Sequence, residues 1–256
     1  MEERLDDLDR FPHPHLAVDV ALLTLHERAL HALVLRRTEA PFAGALALPG
    51  GFVRIDETLP AAAARVLADK CRLEDVFLEQ LFTFGDVRRD PRGRVVSVAY
   101  YALVPAERLL AVLGDGQQRV LGRLDVPWKG ITGGAVQVLD GNGKPQRLAF
   151  DHAEILGTTV QRLRGKIDYA PVGFELLPQA FTLLDLLEVH QAVQGKELNK
   201  DSFRRRMLAS GLLAATGRLR SDGAWRPAAL YRFRQPKAGK NPTSKNPTSR
   251  NQGKKS

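Results

Sequence analysis

Two adjacent glycines, Gly50 and Gly51, close an apolar stretch at Leu48 and are followed by Glu57, Arg65, Asp69 and Lys70. Lacking a Cβ, such a pair lets the backbone turn sharply and lie close against a ligand. Thr58 suits a helix cap and Pro60 a first turn, where proline loses no hydrogen bond; alanines 61–64 then favour helix. The plainer reading is a glycine turn before an ordinary amphipathic helix. A second candidate is the loop Asp86–Arg94, dense in arginine, with Arg88, Asp90 and Arg92 beside the turn residues Pro91 and Gly93. It can close over a phosphate or stand as a solvated hairpin. A third is the cationic run Lys200, Arg204, Arg205 and Arg206, with Arg218 and Arg220 beyond it. Three successive arginines on a helix are more often a solvated face than a reader of bases, so their context has to decide.

The elements that must position these residues follow from periodicity. His15–His26 and Ala29–Arg37 read as two strands joined by a short turn, Leu81–Gly85 as a short strand, and Val95–Val104 as a long apolar one. Residues 135–139 and 146–150 suggest a hairpin around Asp140–Lys144. The pattern does not determine 106–134. Asp151 is placed to cap a helix running to about Lys166, with Ile155, Leu156, Val160 and Leu163 on its buried side. Tyr169–Pro178 reads as a bridge. Phe181–Gln194 is expected as an amphipathic helix with Phe181, Leu184, Leu187 and Val193 inward, stopped by Gly195. Asn199 or Asp201 can cap the next helix, anchored by Phe203, Met207 and Leu208, with Lys200, Arg204 and Arg205 outward and Gly211 at its end. Residues 212–219 and 227–233 can pair as a hairpin with Ser221–Gly223 in its turn. Helix, turn, cationic helix and basic hairpin together resemble a winged helix-turn-helix, whose second helix enters the DNA major groove while phosphate contacts set its register.

The 256 residues allow one large or two modest domains, and 44% hydrophobic with 26% charged residues is ordinary for a globular chain. Asp19 interrupts the most apolar run, well short of the ~18 residues a membrane span needs. The acidic start MEERLDDLDRF does not read as a signal peptide, and the single cysteine, Cys71, excludes an internal disulfide and suits the cytoplasm. Charge is uneven: residues 1–159 carry net −3, residues 160–235 net +6 and residues 236–256 net +6. A mildly acidic front and a basic back half suggest that the back meets a polyanion. The tail, with KNPTS twice, is too polar to bury a core and is expected to be disordered.

The spacing Gly51, five residues, Glu57, seven residues, Arg65 resembles the Nudix box, GX5EX7REUXEEXGU with U apolar. The intact box supplies glutamates that hold Mg²⁺ against a diphosphate. Here Val66, Asp69 and Lys70 stand at those positions and Arg72 replaces the following glycine, while Leu67 and Leu73 keep the apolar places. Mg²⁺ wants hard oxygen ligands, and a lysine about 4 Å from a cation costs roughly 4 kcal/mol per unit charge at an effective dielectric near 20. The resemblance therefore implies a pocket with the shape of the family and without its metal chemistry, no catalytic residue and no metal site.

Taken whole, with LPGGFV, RDPRGRVVSVAYYALVP, LAFDH, LRGKIDY and FRRRML, residues 13 to 234 resemble the Nudix-related transcriptional regulators of NAD metabolism, the NrtR family. The resemblance implies an α+β chain. Its N-terminal Nudix-like α/β/α sandwich with a mixed sheet covers 13–166, its winged helix-turn-helix 167–234, and a basic tail 235–256. It implies a repressor of NAD biosynthesis or salvage genes that senses ADP-ribose and requires no cofactor. It further implies a homodimer on a double-stranded, near-palindromic DNA operator. Carried over residue by residue, Gly50, Gly51 and Phe52 would line the diphosphate end of the pocket, and Glu57 and Arg65 would hold the loop to the helix or touch the ligand. Arg36, Arg37, Arg88, Asp90 and Arg92 are further ligand candidates. Lys200, Arg204, Arg205 and Arg206 would meet DNA, with Arg218 and Arg220 as wing contacts and Arg164 and Lys166 at the junction. Two rivals remain open: a working hydrolase recruiting Asp56, Glu57, Glu74 or Glu79, and an RNA-binding or scaffold protein.

Overall fold

The computed structural model describes residues 11–114, 118–221 and 227–234. In chain order come β1 (His15–His26), β2 (Ala29–Arg36), β3 (Leu46–Ala47), β4 (Gly50–Phe52), α1 (Leu59–Cys71), β5 (Glu79–Phe84), β6 (Val95–Leu103), α2 (Ala106–Leu113), β7 (Arg119–Asp125), β8 (Gln137–Leu139), β9 (Pro145–Gln146) and α3 (His152–Lys166). A 3₁₀ turn over Pro171–Leu176 leads to α4 (Leu183–Gln194), α5 (Lys200–Ala209), β10 (Leu213–Arg220) and β11 (Ala228–Phe233). The segment 106–134, which periodicity left undetermined, holds α2 and β7.

One mixed sheet runs β5-β6-β1-β2-β7-β8-β9, with β3 on β2 and β4 on β1. Among the named strands of the described residues, β1 and β6 are the one parallel pair, from His15 beside Val95 to Leu23 beside Leu103; the other strand pairs of this sheet are antiparallel, and an isolated parallel bridge joins Leu46 to Leu148. Because β1 is covered on both faces, it reads as a nearly unbroken apolar run. Val18, Val20 and Leu22 pack with Ala62, Ala63, Val66 and Leu67 of α1 and Leu109 of α2. Ala21 and Leu23 face the opposite layer, where α3 buries Ile155, Leu156, Val160 and Leu163. Asp19 belongs by alternation to that second face, and this is why the one acid within the strand meets the start of α3. The helix lies hard on its neighbour: a Cβ on Gly157 would fall 1.8 Å from Gly134 O.

The second core does not stop at α3. Leu176, Phe181, Leu186, Leu187, Val189 and Val193, then Phe203, Met207 and Leu213, continue the same buried cluster into the C-terminal unit. There α4 begins with a capping box: Thr182 Oγ1 accepts from Asp185 N–H at 3.1 Å, and Asp185 accepts from Thr182 N–H at 2.8 Å. The helix consequently starts at Leu183, while Phe181 pairs by backbone hydrogen bonds of 2.9 and 2.8 Å with Tyr231 of β11. Asn199 caps α5 through Ser202 N–H at 2.9 Å.

The expectations for Leu184, Leu208 and Asp151 are corrected. Leu184 and Leu208 are each 45% exposed, since the inward stripes run instead through Leu186, Val189 and His190, and through Phe203 and Met207. Asp151 sits at the N-cap of α3 but makes no capping bond, because Arg89 engages its carboxylate. The tail 235–256 and residues Asp222 and Gly223 of the expected hairpin turn lie outside the described residues.

Candidate functional site

A cavity of about 670 Å³ opens where β1, β2, β4, the C-terminal end of α1 and the β5–β6 loop meet. Its wall holds seven cationic side chains, Arg36, Arg37, Lys70, Arg72, Arg89, Arg92 and Arg119, against four carboxylates, Asp19, Glu39, Asp69 and Asp90. That imbalance favours an anionic ligand. The wall itself requires a glycine at 50 and leaves little room at 51. A Cβ on Gly50 would fall 2.1 Å from Asp19 Oδ1, and one on Gly51 would fall 3.2 Å from Val66 Cγ2.

Most of these cations are already held in place. Arg36 donates to Gly44 O at 3.0 Å, and Arg37 donates to Pro41 O at 2.8 Å and Glu39 O at 3.2 Å. Arg92 grips Asp90 through 3.0 and 2.7 Å bonds, which hold the Asp90 carboxyl below its ordinary range. Its Cζ lies 5.6 Å from the ring centres of both Phe52 and Phe150, and Arg37 lies 5.0 Å from Phe150. Guanidinium and aromatic planes thus share one end of the cavity.

Behind this wall is a buried polar network. Asp19 accepts from Ser97 Oγ at 2.6 Å and from Arg89 Nη2 at 3.2 Å. Arg89, only 9% exposed, also forks onto Asp151 at 2.8 and 2.6 Å. His152 Nδ1 accepts from Leu48 N–H at 2.9 Å, so its proton is on Nε2, which lies 3.5 Å from Asp19 Oδ1. Burial pushes the Asp19 carboxyl up, but His152, Ser97 and Arg89 outweigh it and hold the group at about 2.

Beside the cavity, Arg65 donates to Glu57 Oε2 at 2.8 Å and to Phe52 O at 3.1 Å, and Glu57 also accepts from Arg54 N–H at 2.8 Å. The hydrogen bonds from Arg65 are the main reason the Glu57 carboxyl lies at about 2. The pair ties the glycine loop to α1 and does not line the cavity. Val66 is 1% exposed in the core. Asp69 lies 3.9 Å from Arg65 Nη1, and the Lys70 ammonium donates to Gly50 O. Among the described residues no three His, Cys, Asp or Glu side chains stand together as a metal would require. This donor set does not fit Mg²⁺.

The basic residues of the second half divide into two kinds. On the exposed side of α5, Lys200, Arg204 and Arg205 make no side-chain ion pair or hydrogen bond among the described residues, and exposed Arg218 on β10 is alike. Arg206 instead reaches Asp168 at 3.2 Å over the Phe203 ring, and Arg220 forks onto Asp185 at 2.9 and 2.8 Å, pinning the hairpin to the cap of α4. Lys166 pairs with Glu79. Arg164 donates to Val193 O at 2.8 Å, Trp128 O at 3.1 Å and Gly130 O at 3.0 Å, with its Cζ 4.6 Å from the Trp128 ring. Arg164 and Lys166 therefore tie segments together at the junction through these intramolecular bonds.

In the cavity, Arg36, Arg37, Gly50, Gly51, Phe52, Asp90 and Arg92 come together as expected. Arg88 does not; it is exposed and outside the wall, and its neighbour Arg89 takes the inward place. Sequence reasoning missed Asp19, Arg89, Arg119, Phe150 and His152. The available signals were an acid inside an apolar strand and an acid–histidine pair opening a helix.

The NUDIX domain family matches residues 13–119, and the NrtR DNA-binding winged helix domain matches residues 173–233. Over 225 residues the chain is 35% identical to the ADPR responsive transcriptional repressor NtrR of Acinetobacter baylyi, covering 87% of this chain and 83% of that one. It is 32% identical over 144 residues to an ADP-ribose pyrophosphatase of Methanocaldococcus jannaschii, covering 56% of this chain and 72% of that one. The structure of Shewanella oneidensis NrtR in complex with a 27mer DNA superposes with a TM-score of 0.70 at 32% identity, covering 86% of this chain and 93% of that one. With a Nudix domain on a mixed sheet followed by a winged helix, the chain belongs to the NrtR family.

Proposed function

We propose that this protein is a DNA-binding transcriptional repressor of NAD biosynthesis or salvage genes, released from its operator by ADP-ribose. One observation carries the reading: a cation-walled cavity and a helix that presents exposed arginines share a single hydrophobic core. The relative named for its response to ADP-ribose and for repression supports it. The sensing unit is 13–166 and the DNA-reading unit 167–234, acting as a cytoplasmic homodimer on paired half-sites.

In this reading Arg36, Arg37, Gly50, Gly51, Phe52, Asp90 and Arg92 contact the ligand, and the cavity wall adds Lys70, Arg89 and Arg119. Lys200, Arg204 and Arg205 contact phosphates or bases, with Arg218 on the wing. Glu57 and Arg65 shape the loop. The domain binds and does not hydrolyse, because a buried valine and an ammonium occupy two of the positions where Nudix enzymes hold metal. ADP-ribose shifts the DNA equilibrium by its differential affinity for two arrangements of the units.

The test is a titration of the purified protein against DNA upstream of its own gene cluster at fixed salt, about 150 mM, with and without ADP-ribose. Tight binding that the nucleotide weakens is expected. Equal affinity for scrambled DNA would sink the regulator reading. A second reading, hydrolysis of ADP-ribose, is favoured by the pyrophosphatase relative. Magnesium-dependent release of AMP that disappears in Asp69→Ala would establish it.

A further inference from the structure

We infer that Lys70 acts as a tethered cation, so that the cavity holds the diphosphate of its ligand without any divalent ion. The inference rests on the ADP-ribose reading above and adds how that ligand's charge is met. The mismatch between the site and Mg²⁺ is its starting point. Where a metal would need oxygen donors, α1 offers the Val66 side chain, buried in the core, one exposed carboxylate on Asp69, and the ammonium of Lys70. Of the other carboxylates nearby, Glu57 is engaged by Arg65, Asp19 by Ser97 and Arg89, and Asp90 by Arg92, while Glu39 joins the wall from the segment after β2, away from α1.

Lys70 is fixed at the cavity wall. It lies in the last turn of α1, where the carbonyl end of the helix favours a cation, and its ammonium donates to Gly50 O in the glycine turn. An ammonium has three donors, so that bond leaves two for another acceptor. Arg119 stands beside it, donating to Lys70 O at 3.3 Å, and its Nε is buried with no acceptor among the described residues. Arg36 and Arg37 line the same cavity. A diphosphate supplies acceptor oxygens and negative charge, and these side chains supply donors and positive charge. Every group needed to neutralise the ligand belongs to the chain.

The experiment is calorimetric titration of the full chain with ADP-ribose in EDTA and again in millimolar Mg²⁺, with adenosine as a phosphate-free control. Wild-type affinity is expected to agree within about twofold between the two buffers. Lys70→Met is expected to weaken ADP-ribose by about 10-fold or more in both, the size of one charge-assisted hydrogen bond, and to leave adenosine unchanged. Lys70→Arg should retain most of the affinity. Lys70→Glu should be weakest in EDTA and recover in part when Mg²⁺ is added. Wild-type binding that requires Mg²⁺ would overturn the proposal while leaving the ADP-ribose reading intact, and this arm needs no variant to fold. An equal drop in adenosine and ADP-ribose affinity in Lys70→Met would reduce Lys70 to a structural role and also overturn it. Absence of ADP-ribose binding in either buffer would remove the ligand reading and this proposal with it.

Discussion

In the cavity, nearly every guanidinium is matched by a carbonyl or carboxylate of its own chain. Arg37 is held by Pro41 and Glu39, Arg89 by Asp19 and Asp151, and Arg92 by Asp90. On α5, Arg204 and Arg205 stand in solvent without such partners among the described residues, although Arg206 beside them is paired with Asp168. In the proposed function the difference separates two ways of meeting phosphate. Fixed cations lose little freedom on binding and select for shape. Free ones lose rotamer entropy but adapt to a long, regular backbone. Net charge alone, similar in character at both places, does not distinguish them.

The largest expected break in this comparison is at Arg89. Arg89→Ala leaves Asp19 and Asp151 without their shared cation and should lower unfolding free energy by ~3–5 kcal/mol, measured by urea denaturation at neutral pH. Arg164→Ala removes one donor group from three carbonyls at the junction and should lower stability by ~1–3 kcal/mol. Because Arg164 is a fixed cation, the salt dependence of operator binding should keep its slope. Arg204→Ala with Arg205→Ala should do the reverse. Stability should hold, and the slope of log affinity against log salt should become shallower by about 0.9 for each DNA phosphate that is no longer neutralised.

Acid titration of stability sharpens the same contrast within the fixed set. Burial, helped by Arg206, depresses the His190 imidazole to about 4 in the folded chain. A depressed histidine favours the folded state above its unfolded value near 6.5, and that contribution is lost as pH falls from there to about 4. Asp19, held at about 2, adds stability present above the unfolded carboxylate value and lost between roughly pH 4 and 2. His190→Leu should flatten the first arm of the stability–pH curve, followed by fluorescence, and leave the second. The smallest effect is expected at Arg72, which caps α1 in the left-handed region at φ 57°. Arg72→Gly relieves backbone strain and should raise stability by about 1 kcal/mol, while taking one cation from the cavity wall.

Much of this was legible in the sequence where local chemistry decides. The glycine pair, the flanking arginines, the β1–β2 hairpin, β6, the extent of α3 and the Asn199 cap depend on neighbours in the chain. What escaped depends on distant partners. Arg88 and Arg89 are indistinguishable as letters, and only the meeting of β1 with the start of α3 turns one inward onto Asp19 and Asp151. Arg164 and Lys166 look like a basic junction until Trp128, Val193 and Glu79 arrive from segments 29 to 87 residues away. Asp151 carries a good capping side chain, yet a buried guanidinium outcompetes a backbone amide for it.

The core shared by α3 and the C-terminal unit has a mechanical consequence. Two bodies joined through a thin linker swing, whereas helices interlocked by side chains slide past one another by an ångström or two. Through Phe203 and Met207, α5 is therefore geared to the sheet. In the proposed dimer this makes the protein a stiff ruler. One base pair inserted between half-sites turns one of them by about 34° around the duplex, farther than sliding contacts can follow.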